Sequence, residues 1–356
     1  MYDVILTDFP RLPGETDDSP RIQRAIDAAP NGILEIPKGN YDIETPLFIK
    51  NRCSVRLHPA ARLFARKEMD FILTYDGGDI YRDLTIFENG EVYDNLGLFI
   101  EGGDLEGQGL ASCLKVCNAH HFTLKNITCH NGKKYGLAVM DGKKAYEVFC
   151  YNVYCKCYLP GLSGNIGIYS DCCDNHYTDC IVVDYTVGMK MDGGANRLTR
   201  CHIWGGTVAP RNMSMEEWTD LFRDREGKLP VNHYLMEKFG EDALNTLPEM
   251  LENSIAFDLC GTFNVLDGCY ADTATVGFRI NAKYHTRLTN CDFFNNANMG
   301  LKESTAIVHE KGTLAVMMCA FRNLAGTEVL YEGLEEGVEW IANDTFRFEV
   351  PEFLKK

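Results

Sequence analysis

No run in this sequence approaches the roughly 18 consecutive apolar residues that a membrane-spanning helix requires. Positive charge is in deficit: 35 Lys and Arg stand against 51 Asp and Glu, a net charge of −16, which argues against a nucleic-acid backbone or an anionic membrane surface as partner. The opening MYDVILTDFPRLPGETDD has neither a basic n-region nor an apolar h-region, so the cytoplasm is the expected compartment. Walker, Rossmann and nucleophile-elbow motifs are missing, and His176, His233, His285 and His309 lack zinc-ligand spacing. No cofactor and no dedicated metal site are therefore expected.

What is present is material for a large core, with 45% hydrophobic residues, and a repeat. Segments with an apolar, small, apolar, variable, apolar, polar pattern recur as LGLFIE (96–101), YGLAVM (135–140), IGIYSD (166–171), VGMKMD (187–192), IAFDLC (255–260), VGFRIN (276–281) and TAIVHE (305–310). Their period of two predicts strands. A cysteine follows most of them at a regular distance: Cys150, Cys180, Cys201, Cys269, Cys291 and Cys319. Short strands with Asn/Gly corners at Asn131-Gly132, Asn175, Gly193-Gly194 and Asn295-Asn296 describe solenoid coils, each burying its apolar side chains against its neighbours. The predicted fold class is all-β, a single-stranded right-handed parallel β-helix over residues 1–356, with the cysteines stacked inside as a ladder of small hydrophobes.

The N-terminal run Asp8-Phe9, then Glu15 to Ala29, then Ile36-Pro37-Lys38-Gly39-Asn40-Tyr41 resembles the opening of pectate-lyase-like and polygalacturonase-like β-helix proteins. Asp104-Leu105-Glu106-Gly107-Gln108-Gly109 is similar to the Asp-Gly-Gln-Gly corner of polygalacturonases. The resemblance implies that residues 18–29 form a helix capping the solenoid, and the local chemistry agrees: Asp18 or Ser19 can N-cap, Pro20 suits the first turn, and Ile22, Ala25, Ile26 and Ala29 form an apolar stripe. The catalytic Asn-Thr-Asp, Gly-Asp-Asp and Gly-His-Gly motifs of polygalacturonases are not matched, so their reaction is not inherited with the fold. Residues 207–252 break the rhythm with helical spacing and read as a helical insertion, a lid or an oligomer contact.

Strict alternation along each repeat points its second, fourth and sixth residues outward. The second positions, Gly167, Gly188 and Gly277 among them, then form a flat floor for a ligand. Tyr169, Asp171, Lys190, Asp192, Asp258, Arg279 and Asn281 gather beside it in one patch. Asp192 and Asp258 have the separation of an inverting acid and base pair, whereas a direct Asp171 and Asp192 stack is nearer a retaining separation or a metal clamp. Asp184 and Asp272 stand at turns entering the same strands, and His202 and Trp204 share an outward side with a structural role expected.

The expected function is a glycoside hydrolase acting on an oligosaccharide. Asp192, Asp258 and Asp171 would be catalytic, Lys190, Arg279 and Asn281 would hold sugar groups, and Tyr169 would offer a ring to a sugar face. One alternative is a Ca²⁺-dependent polysaccharide lyase or uronate epimerase with Asp171 and Asp192 on the cation. Another is a non-catalytic sugar-binding or tailspike-like protein. Side-by-side association into a homo-oligomer, such as a trimer, stays open, because no heptad or large apolar patch is readable.

Overall fold

The computed structural model describes residues 3–78, 97–141, 145–157, 164–205, 253–295, 304–323, 328–341 and 343–347. The predicted insertion, residues 207–252, lies outside them. Contacts gather the chain into two compact units. The first is Met1–Lys156, Ile168–Cys180 and Asp192–Asn196, and the second is Cys157–Gly167, Ile181–Met191 and Arg197–Lys356.

In the first unit, short strands pair in parallel from one coil to the next in three rows. The first row holds Leu47–Ile49, Phe71–Asp76, Ser112–Cys117 and Tyr135–Val139. The second runs through Ser54–Leu57, Phe99–Glu101, Thr123–Lys125, Phe149–Tyr151 and His176–Thr178. The third contains Gly39–Ile43, Ala61–Ala65, Asp104–Glu106, Thr128–His130 and Tyr154–Lys156. The second unit repeats the plan: Val187–Met191 pairs with Ile255–Leu259, Arg197–Thr199 with Asn264–Asp267, and Ile181–Val183 with His202–Trp204 and then Tyr270–Asp272. There the expected separate short strands fuse into two long ones, Val276–Thr289 and Ser304–Met317, with register shifts around Asn281.

Corners explain why the strands are so short. At most corners between second and third rows a single residue adopts a left-handed backbone, Asn126, Asn152 and Asp179 in the first unit and Arg200, Gly268, Asn290 and Met318 in the second, while the corner after Glu101 uses two, Gly102 and Gly103. Asn tolerates that region better than most residues, and Asn152 Nδ2 donates to Asn126 Oδ1 at 2.9 Å, so the corners also bond coil to coil. Buried Asn175 does the same by accepting the Val148 N–H at 2.9 Å.

Helix α1 (Ser19–Asp27) buries Ile22, Ala25 and Ile26 as its stripe predicts. Its N-terminus is held differently from expectation. Asp17 accepts the Ser19 N–H at 2.7 Å, and Asp18 makes no side-chain cap. The Asp18 carboxylate instead accepts from Arg11 at 2.7 and 2.9 Å and from the Asp42 N–H at 2.8 Å, and pairs with Arg21 at 2.7 Å. Burial pushes its pKa up, but these bonds outweigh it and leave the group below its ordinary value.

The cysteine ladder is real in the second unit. Cys201, Cys269, Cys291 and Cys319 each stand just before a third-row strand with 1% exposure, and the N–H groups of Tyr270, Asp292 and Ala320 bond to the carbonyls of Cys201, Cys269 and Cys291. Cys180 holds the same place in the first unit. Cys150 does not: it lies within a second-row strand opposite Leu124 and Tyr177. The segment 96–101 is likewise out of phase with the other repeats, since Phe99–Glu101 pairs with Thr123–Lys125 in the second row. Its alternation matched, but alternation does not say which of three rows a strand joins.

Candidate active site

Along the first row of the first unit runs a cavity of about 930 Å³, lined by Phe48, Phe71, Tyr135, Lys50, Lys115 and Asp141 among others. Its aromatic side is continuous: Phe71 stacks on Tyr135 at 6.1 Å and Tyr135 on Tyr169 at 5.2 Å between ring centroids. Lysines lie over three of the rings, Lys50 on Phe48, Lys115 on Phe71 and Lys134 on Tyr135. Lys115 also pairs with Asp141 at 2.6 Å. Partial burial works to lower the Lys115 pKa, yet the bond to Asp141 prevails and raises it, so the ammonium is firmly charged. Asp76, at the cavity edge, accepts from Asn118 at 2.6 Å and from the Gly78 N–H at 2.9 Å, which overcome its burial and hold its pKa low.

Asp171 and Asp192 sit at one edge of this row. The Asp171 N–H donates to the Val139 carbonyl and the Asp192 N–H to the Ser170 carbonyl, so the two occupy equivalent rungs just past their strands. Asp192 is exposed and accepts the Tyr169 hydroxyl on Oδ2 at 3.0 Å. Half-buried Asp171 accepts the Cys172 thiol at 3.2 Å. Burial, reinforced by the Asp192 charge, pushes the Tyr169 phenol far above its ordinary pKa, so it remains a hydrogen-bond donor at physiological pH.

The remaining predicted site residues belong to the second unit. The register sets Lys190 opposite Asp258, Asp258 opposite Arg279, and Arg279 opposite Val308, as strand stacking requires. Asp258, expected to be exposed, is completely buried, and Arg279 forks onto it with Nε at 2.8 Å and NH2 at 2.6 Å. The bond to Asp258 raises the Arg279 pKa further. Both carboxylate oxygens of Asp258 are taken by the guanidinium fork, so the enclosed Asp258 anchors Arg279 instead of standing on the open face expected for it. Asn281 is half-buried at the register shift of the long strand.

The glycine floor is also overturned. A Cβ at Gly167 would collide with Val182, at Gly188 with Ile203 and at Gly277 with Phe293, all side chains of the third row that fill the coil interior. Strict alternation fails here because Gly188 and Met189 are both buried, and the ladder that pairs Val187 with Ile255 and Met189 with Phe257 is interrupted between them. Gly167, Gly188 and Gly277 thus turn their Cβ direction onto bulky third-row side chains inside the coil, not onto an open outer floor.

Other candidates resolve as structural. His202 stacks on Tyr270 at 4.8 Å and stands 3.7 Å from Asp272. Asp104, in the segment similar to the polygalacturonase corner, accepts from Arg62 at 2.7 Å and lies 2.9 Å from His130 Nδ1. Glu106 is buried, which raises its pKa, and it accepts from Asn131 at 2.8 Å and from the Gln108 N–H at 3.1 Å. Phe71, Lys115, Tyr135 and Asp141 line the cavity but were not among the expected site residues. FILTYD and SCLKVC, which carry Phe71 and Lys115, lack the small second residue that marks the repeat, whereas Tyr135 opens the recognised repeat YGLAVM at a first position expected to face inward, and Asp141 follows that repeat.

Three-row parallel coils with left-handed corners decide the architecture. The fold is that of the parallel β-helix proteins. No protein-family model and no curated protein matches the sequence, so the comparison rests on solved structures. ORF18 of Geobacillus virus E2 superposes with a TM-score of 0.62 at 14% identity, covering 97% of this chain and 62% of that one, so this chain spans less than two thirds of that protein. The endo-xylogalacturonan hydrolase from Aspergillus tubingensis gives 0.55 at 12% identity, covering 97% and 92%. The alginate lyase from Paenibacillus sp. str. FPU-7 gives 0.52 at 9% identity, covering 90% and 97%.

Proposed function

We propose that the protein is a carbohydrate-active enzyme, a glycoside hydrolase that cleaves an oligosaccharide on the outer face of a right-handed β-helix capped by α1. The observation that carries this reading is the aromatic line Phe71, Tyr135 and Tyr169 beside a charged cavity, ending at two carboxylates on successive rungs. Sugar rings present apolar C–H faces to such aromatics, and their hydroxyls bond to Lys and Asp side chains. The fold supports the class, since the similar structures include a xylogalacturonan hydrolase and an alginate lyase.

In this reading Asp192 is the base or nucleophile, oriented by the Tyr169 hydroxyl, and Asp171 delivers the proton to the leaving oxygen. Neighbouring coils are separated by about 4.8 Å, so carboxylates on adjacent rungs suit the spacing of about 5 Å used by retaining enzymes better than the wider inverting one. Of the fifteen cysteines all but Cys173 and Cys260 are buried, and this reading places the protein in a reducing compartment with short, imported substrates. The same two rungs also support a second reading, in which Asp171 and Asp192 clamp Ca²⁺ in a lyase or epimerase.

Incubation with gluco-, galacto-, fructo- and uronic-acid oligosaccharides, followed by mass analysis, separates the readings. Hydrolysis adds one water per cleavage, whereas a lyase gives an unsaturated product absorbing in the ultraviolet and loses activity with a chelator. Asp192→Asn and Asp171→Asn should each lower turnover at least about 10³-fold while the protein stays folded. Full activity in both variants, or an intact panel, would exclude this site.

A further inference from the structure

Outside the cavity, two corners of the first unit bring together a donor set that the proposed reaction does not use. His120 and His121 stand on the corner between strands Ser112–Cys117 and Thr123–Lys125, and Glu147 precedes strand Phe149–Tyr151 on the next coil. The corners are joined by the Tyr146 N–H donating to the Ala119 carbonyl at 3.0 Å and by a parallel bridge between His120 and Tyr146. The two imidazoles stack at 4.2 Å, and both Nε2 atoms converge on one oxygen, Glu147 Oε2, with His120 at 2.9 Å. One donor atom from each of the three residues lies within 4.8 Å of the others.

We propose that His120, His121 and Glu147 bind one divalent transition metal of the zinc class and thereby staple two consecutive coils. The donor set selects the ion: two imidazole nitrogens with one carboxylate oxygen suit Zn²⁺, Co²⁺ or Ni²⁺, while Ca²⁺ and Mg²⁺ favour oxygen alone. The geometry fits as well. Ligand bonds of about 2.0–2.1 Å in a tetrahedral site place donors about 3.3 Å apart, so a small outward rotation of the three side chains admits the ion. Three protein ligands leave a fourth position for water. His121 and Glu147 both hold a left-handed backbone, with φ of 48° and 53°, a conformation uncommon for such residues, and it is from these positions that they meet. Zinc-type spacing within a short segment could not reveal the set, because the third ligand comes from the next coil.

The test uses tag-free, full-length protein loaded with Zn²⁺, desalted and assayed for metal, together with a Co²⁺-loaded sample. One tightly held Zn²⁺ per chain, a rise of several degrees in Tm removed by chelator, and a tetrahedral Co²⁺ spectrum free of a sulfur charge-transfer band are expected. His121→Gly and Glu147→Gly keep the left-handed backbone while deleting a ligand, and each should weaken Zn²⁺ binding by at least about 10-fold. Should a variant fail to fold, anomalous diffraction at the zinc edge on wild-type crystals locates the ion directly. No bound Zn²⁺, unchanged binding in both variants, a thiolate signature, or an ion found elsewhere would overturn the proposal.

Discussion

Asp258 and Asp192 were equals on paper, two outward aspartates of a shared pattern, and the structure separates them by environment. Asp258 has no exposure and is chelated by Arg279, while Asp192 is exposed and accepts the Tyr169 hydroxyl. Removing one partner of a buried ion pair strands the other charge, so Arg279→Ala should destabilise the fold by about 3–5 kcal/mol. Asp192→Asn, a surface change, should alter stability by no more than about 0.5 kcal/mol. Urea unfolding of the two variants measures the contrast, and equal small effects would contradict the assignment of Asp258 as an anchor. Parity identified the row Lys190, Asp258 and Arg279 correctly because register follows from strand stacking. It gave no information on what covers a residue, and it failed at Gly188, whose Cβ direction is filled by Ile203 of another row.

Among elements, α1 is the one whose sequence signature and anchoring diverge. The stripe Ile22, Ala25 and Ile26 was legible from helical spacing, whereas the role of Asp18 depended on Arg11 and on Asp42 of a strand, distant partners that no local pattern encodes. The folded Asp18 pKa lies below its unfolded value, so its stabilisation is present above the unfolded value of about 3.9 and is lost as pH falls through the folded one. Asp18→Asn should therefore cost about 2 kcal/mol at pH 7 and flatten the decline of stability below about pH 4. Thermal unfolding across pH 2.5–7, on the scale of about that window, checks this, and parallel curves for both proteins would contradict it. Phe99–Glu101 and Cys150 show the complementary failure: an alternating strand or a buried cysteine was recognised, but its row was not, because all three rows share one period.

At the scale of the molecule, the repeat was enough to predict a parallel β-helix, since a coil that cannot bury its apolar face alone must stack. The reaction was not legible to the same degree. Strands between Leu47 and Cys117 in the first unit carry much of the cavity, yet they depart from the repeat, so the repeat pattern alone does not point to them. In the proposed site Tyr169, Asp171 and Asp192 are joined to Phe71 and Tyr135 by ring stacking along the row. The most direct measurement is a crystal structure of the Asp192→Asn variant with an oligosaccharide that the wild-type enzyme turns over. The account predicts sugar rings lying against Tyr135 and Tyr169 with a glycosidic oxygen within hydrogen-bond reach of Asp171. A sugar bound on the second- or third-row face, away from these residues, would contradict it.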